Sequence, residues 1–159
     1  MIDKLYELVD RSKLTLIGYT YKDENAKDRF LLSLNPHKIT STDNIHSYIR
    51  NIKLDRLIDA HNDSRYLLLD ISSIATNATS NINRANAIRH FCESLRAEAA
   101  KFDYRVIITA PLNRTMPNHN QDIYNFTGGI TPMYSADLSF QFVDGNIKVV
   151  KNRFGPINI

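Results

Sequence analysis

The sequence predicts an α/β domain with a mostly parallel sheet closed by an antiparallel hairpin. Three observations carry the prediction. Tyr66-Leu67-Leu68-Leu69 is a run of four apolar residues leading into Asp70-Ile71, a composition that suits a central parallel strand covered on both faces. Strand-like runs alternate with helical periodicity along the chain, as a parallel sheet with crossover helices requires. Near the C-terminus, Leu138 to Val143 and Ile147 to Val150 flank Asp144-Gly145, a pair that tolerates positive φ and so marks a tight hairpin.

Taken in order, Ile2, Leu5, Tyr6 and Val9 recur at helical spacing and predict a short amphipathic helix. Leu14 to Gly18 reads as a buried strand ending in glycine. A polar stretch from Tyr19 to Ala26 leads to a short helix around Lys27 to Leu34, ended by Pro36. Thr40 to Asp43 supplies capping residues for a helix with Ile45, Tyr48, Ile49 and Ile52 on its apolar face. After the Asp70 strand, Ser72 to Asn83 is rich in Ser, Thr and Asn and reads as a loop. Ile88, Phe91, Cys92, Leu95, Ala99 and Phe102 then line one face of a strong helix. Val106-Ile107-Ile108 is a further buried strand, and Asn113 to Tyr124 reads as a polar loop.

Composition narrows the function classes. At 159 residues the chain has the size of one domain, read as spanning residues 1–159. A net charge of +3 admits a nucleic-acid partner without arguing for one. Cys92 is the only cysteine, which excludes an intrachain disulfide and a cysteine zinc cluster. No run approaches the roughly 20 apolar residues of a membrane span, and the N-terminus lacks a signal-peptide core. The chain is therefore read as cytoplasmic, with no membrane partner.

The last third carries a resemblance. Thr127 to Asp137, with Gly128-Gly129 and Tyr134-Ser135-Ala136-Asp137, resembles a stretch of RecA-type phage recombinases. Ile147 to Arg153 is similar to the Lys-x-x-Lys-Asn-Lys strand of bacterial RecA. Lys151-Asn152-Arg153-Phe154-Gly155-Pro156 also resembles the Lys-x-Arg-x-Gly-Pro end of DnaB-type replicative helicases. Leu112-Asn113-Arg114, and Asp3-Lys4-Leu5 followed by Leu14 to Ile17, resemble helicase segments too. The resemblance implies a three-layer RecA-like fold, a phage or mobile-element origin, and a site for ATP and Mg²⁺.

ATPases of this class wrap phosphate in a G-x-x-x-x-G-K-[ST] loop, where Lys reaches the β/γ-phosphates and the hydroxyl binds Mg²⁺. Here Gly18 is followed by seven residues and then Ala26-Lys27-Asp28. Gly18, Lys27 and Asp28 are the nucleotide-binding candidates, in a loop that is too long and lacks its second glycine. The plain alternative makes Lys27 an exposed helix-start lysine. Asp70 resembles the acidic residue that holds the Mg²⁺ water shell, and is the metal candidate; otherwise it caps the following loop. No strand ending in a catalytic Glu is legible between Asp28 and Leu69. Pro111 stands where the helicases carry a phosphate-sensing Gln, and proline has no side-chain amide. Hydrolysis is therefore expected to be lost.

Lys151 and Arg153, two apart on a strand, share a face. The resemblance implies that they reach a neighbouring subunit's nucleotide as arginine fingers, and with Asp70 they form the catalytic candidates. The plain reading is a solvated basic edge strand. Arg84 and Arg114, with Tyr124 and Phe126 for stacking, are the nucleic-acid candidates on the two polar loops. Together these features imply a degenerate RecA/DnaB-like protein that no longer hydrolyses ATP. It would act on a RecA-fold helicase or recombinase, or by self-association, with single-stranded DNA as a further partner. A divergent DNA-dependent ATPase and a small nucleic-acid-binding module are the alternatives.

Overall fold

The computed structural model describes residues 2–33, 39–41, 66–71, 81–101, 105–118, 123–126 and 135–158. In chain order these form α1 (Ile2–Arg11), β1 (Leu14–Tyr19), a 3₁₀ turn (Tyr21–Asp23) and α2 (Glu24–Ser33). They continue with β2 (Ile39–Ser41), β3 (Tyr66–Asp70), α3 (Asn81–Lys101) and β4 (Arg105–Asn118). The last elements are β5 (Ile123–Phe126), β6 (Leu138–Val143) and β7 (Asn146–Asn152).

The sheet runs β2-β3-β4-β1-β6-β7, with β5 paired to β4. The first five strands of that order are mutually parallel, and β7 returns antiparallel along β6. The hairpin expected at Asp144-Gly145 is present, with φ of 49° and 78° at the two turn residues. Two successive left-handed residues match the twist of the flanking strands.

Side-chain alternation sorts the sheet into two covered faces. Leu14 and Leu16 of β1, Leu67 and Leu69 of β3, and Val106, Ile108 and Ala110 of β4 pack against Ile88, Cys92, Leu95 and Ala99 of α3. The intervening residues Ile17 and Ile107 join Leu138, Phe140 and Phe142 of β6 against Leu5, Leu8 and Val9 of α1 and Phe30 and Leu31 of α2. The sheet is thus sandwiched, giving the three layers. Phe30 fastens α2 by stacking on Tyr6 at 4.6 Å and meeting the edges of Phe140 and Phe142 at 5.2 and 5.8 Å.

Four local expectations are corrected. β1 continues through Gly18 to Tyr19, because Gly18 is paired on both sides, with Ala110 and Gln141. α2 begins at Glu24 rather than Lys27. A strand does lie beyond β3: Ile39 to Ser41 pairs parallel with Tyr66 to Leu68, where the residue types suggest helix caps. The cause is that β-branched residues beside an open sheet edge take up the ladder. The helix expected over Ile45 to Ile52 lies outside the described residues. Finally, most of the expected loop after Asn113 is an antiparallel pair, β4 with β5, whose register shifts between Asn113 and Pro117. Proline is tolerated at such an irregularity.

Candidate functional site

The C-terminal end of the parallel strands brings together Asp70, Thr109, Tyr19 and Lys27. Asp70 and Thr109 are cross-strand partners, and the Thr109 hydroxyl donates to Asp70 Oδ2 at 2.8 Å. Thr109 is also level with Ile17 on β1. Tyr19, two residues beyond Ile17, therefore shares their face by the period of two. Its hydroxyl donates to the same Asp70 oxygen at 3.2 Å. Lys27 descends from the first turns of α2, with its ammonium 4.1 Å from the centre of the Tyr19 ring and 3.1 Å from Asp28 Oδ1. The side chain of Lys27 is only 10% exposed, against 53% for Asp28, which overturns the reading of Lys27 as an exposed lysine. Burial, then the Asp70 charge and the hydrogen bond to it, push the Tyr19 phenol well above its ordinary range.

Between Gly18 and Lys27 the backbone is short-circuited by an internal carboxylate. Thr20 follows β1 directly, and the Asp23 amide donates to the Thr20 carbonyl at 2.9 Å, closing the 3₁₀ turn. The buried Asp23 carboxylate accepts the Thr20 hydroxyl. It also accepts the amides of Asp144 and Gly145, each at 2.9 Å. These bonds tie the turn to the β6–β7 hairpin.

This arrangement does not fit Mg-ATP as it stands. A phosphate cradle needs a loop that wraps an anion, a lysine free to reach it and a carboxylate open to the metal's water shell. Here Lys27 lies under an aromatic ring and beside Asp28, and Asp70 accepts two hydroxyls. Among the described residues no three His, Cys, Asp or Glu side chains gather into a metal cluster.

Lys151 and Arg153 stand at the other end of the sheet. Lys151 pairs with Ser139 at the start of β6, and Arg153 follows β7 in a turn. Arg153 is not simply a solvated edge residue: its Nη1 donates to Oδ1 of Asp137, the buried residue preceding β6. The same oxygen accepts Nε and Nη2 of Arg96 from α3 at 3.0 and 2.9 Å, while Oδ2 accepts the Lys13 amide at 2.9 Å. Desolvation, then Arg153, lowers the Lys151 pKa, Asp137 opposes this and Arg96 adds to it. Within one molecule, then, these cations cannot meet Lys27 and Asp70.

Of the nucleic-acid candidates, Arg84 lies in the first turn of α3, Arg114 on β4, and Tyr124 and Phe126 on β5. The backbone brings the last three into one antiparallel pair and leaves Arg84 on a separate element. The segment 72–80, the body of the other expected loop, lies outside the described residues, as does the Gly128-Gly129 stretch. Among the described residues no helix is long and apolar enough to cross a membrane.

Tyr19, Thr109, Asp23 and Arg96 escape a reading of the sequence alone, and Asp137 enters it only as the end of the Tyr134-Ser135-Ala136-Asp137 stretch, without a role. For Tyr19 a signal exists, since it follows Ile17 at strand period. Thr20 is a local partner of Asp23, but the turn amides that Asp23 holds lie 121 and 122 residues away, and Asp137 meets Arg96 across 41 residues.

No protein-family model and no curated protein matches the chain. Among solved structures, the ATPase domain of a DnaB-like helicase is similar, with a TM-score of 0.64 and 14% identity over 99% of this chain and 84% of that one. At that identity the likeness speaks for fold, and the fold is the RecA-like α/β sandwich described above.

Proposed function

We propose that the chain is a RecA-fold protein that does not turn over ATP and instead acts as an accessory or inhibitory partner of RecA-fold oligomers in DNA replication or recombination. The observation that carries this reading is the contact of Tyr19 with both Lys27 and Asp70. It occupies the lysine and the carboxylate that a nucleotide would need. The cationic group of Arg96, Lys151 and Arg153 at the opposite sheet end can meet a second molecule without involving that cleft. Arg153 keeps a side-chain exposure of 42%, so a partner's phosphate or carboxylate can reach it.

Native mass spectrometry and co-purification with a DnaB-type helicase and with a recombinase test the partner. A complex with either, weakened by Arg153→Ala, is the expected result; no complex with both removes the proposal.

A divergent DNA-dependent ATPase is the second reading. It is favoured by the order β1-β4-β3, which sets Lys27 and Asp70 across one intervening strand, and by the likeness to a domain named for ATPase activity. Phosphate release by the wild-type chain with Mg-ATP and single-stranded DNA, abolished by Lys27→Ala, would establish it in place of the first.

A further inference from the structure

Asp144 and Gly145 form the β6–β7 turn with left-handed φ of 49° and 78°, and both are exposed. Their amides donate to the two oxygens of the buried Asp23 carboxylate, each at 2.9 Å. We infer that Asp144-Gly145 is a site of spontaneous backbone isomerisation, aspartate to isoaspartate, and that Asp23 is the lock that restrains it in the folded chain. The lock acts whatever partner the chain meets.

The chemistry is internal to the dipeptide. The Gly145 nitrogen attacks Cγ of the Asp144 carboxyl in its acid form. The N–Cγ bond forms, and one carboxyl oxygen leaves as water with the amide hydrogen and the acid proton. The cyclic imide then takes up water. Opening at Cγ restores aspartate, whereas opening at the main-chain carbonyl carbon of Asp144 leaves the chain running through the side chain as isoaspartate. Water is the only co-reactant, and nothing is oxidised or reduced. Glycine hinders this attack least of all residues because it has no Cβ, and here nothing stands within 4 Å of where a Cβ would lie.

Attack requires the Gly145 nitrogen to turn toward the Asp144 side chain, a rotation about ψ of Asp144. The nitrogens of Asp144 and Gly145 are the two ends of that torsion, and both are bonded to one carboxylate. Asp23 is itself fixed: it is buried, accepts the Thr20 hydroxyl, and closes the 3₁₀ turn through its amide on the Thr20 carbonyl at 2.9 Å. Its carboxylate also holds the Gly145 hydrogen that has to leave, and its charge disfavours an anionic nitrogen. Amide bonds to a charged acceptor suppress local opening of the turn by roughly ten- to a hundredfold. Isomerisation proceeds from the open turn, so its rate is lowered by about the same factor. Isoaspartate adds a backbone carbon to a tight turn that has to match the strand twist. Once formed, it no longer presents two adjacent amides to Asp23, and the change is retained.

The test is incubation of the full chain at neutral pH and physiological temperature in heavy-oxygen water, followed by mass spectrometry of the peptide that contains Asp144. Each imide cycle incorporates one heavy oxygen, and electron-transfer fragmentation identifies isoaspartate. Wild type is expected to convert slowly, and Asp23→Ala about ten- to a hundredfold faster. Asp23→Asn keeps an acceptor oxygen for one amide and loses the charge. It is expected to fall between the two, and it covers the case in which the alanine variant does not fold. Adding Gly145→Ala to the Asp23→Ala chain is expected to slow conversion again. Asp137→Ala removes a buried carboxylate at the opposite sheet end and leaves the Asp23 contacts intact, so it separates the lock from general instability; it is expected to convert at the wild-type rate. Folded Asp23→Ala and Asp23→Asn chains that convert no faster than wild type, or an Asp137→Ala chain that accelerates equally, overturn the lock. An Asp144 peptide that takes up no heavy oxygen in any variant, or in the chain unfolded in urea, overturns the site.

Discussion

Arg96 donates through both Nε and Nη2 to a single oxygen of Asp137, at 3.0 and 2.9 Å. That oxygen also receives Arg153, so one buried carboxylate joins α3, the start of β6 and the turn after β7. Arg96 and Arg153 are 36% and 42% exposed and stay solvated without Asp137. Asp137→Ala is therefore expected to lower unfolding free energy by about 1–3 kcal/mol, through the lost charge-assisted hydrogen bonds and the orphaned Lys13 amide. Arg153→Ala, whose side chain is 42% exposed, is expected to cost about 1 kcal/mol or less because Arg96 still neutralises the acid. Urea denaturation of the two variants separates these values.

Asp23 does for the β6–β7 turn what a bound anion would do, accepting two adjacent amides at 2.9 Å. Asp23→Ala orphans both donors and is expected to cost about 1–3 kcal/mol. Hydrogen exchange at Asp144 and Gly145 should accelerate selectively.

Gly145 has a φ of +78° and nothing within 4 Å of a built Cβ. Gly145→Ala therefore meets backbone strain without a clash, and about 1 kcal/mol of destabilisation is expected by thermal melting.

The raised phenol of Tyr19 makes stability depend on alkaline pH. The folded chain holds this proton more tightly than the unfolded chain, whose phenol has the ordinary value of 10.0. The contribution is complete below that pH. Above it the unfolded state binds fewer protons than the native one, so stability falls as pH rises. Tyr19→Phe should show a shallower alkaline decline than wild type in urea melts above about pH 10; parallel curves would contradict the assignment.

Cys92 is fully buried beneath α3, and burial, with a smaller push from Glu93, raises its thiol to about 12. A thiol reagent at neutral pH should leave it unmodified in the native chain and modify it at once in denaturant. Native reactivity would place it outside the core.

How much of this is legible in the residues depends on how local the cause is. The apolar run before Asp70, the α3 stripe from Ile88 to Ala99 and the Asp144-Gly145 turn each declare themselves within a few neighbours, because burial and positive φ act at short range. β2 stays hidden, since Ile39, Thr40 and Ser41 are a strand only through the open edge of β3. The β4–β5 pair is obscured by Pro111 and Pro117, which punctuate the sequence without ending that strand.

The sequence by itself determined the alternation of α1, β1, β3, α3, β4 and the closing hairpin, the residue types present at Lys27 and Asp70, and the basic pair Lys151 and Arg153. Only the tertiary structure decided what each of them touches: Tyr19 against Asp70 and Lys27, Asp23 against a turn far along the chain, Asp137 between two arginines. The physical reason is that periodicity is a property of neighbouring residues, whereas a hydrogen bond across a sheet exists only once the register of distant strands has been set.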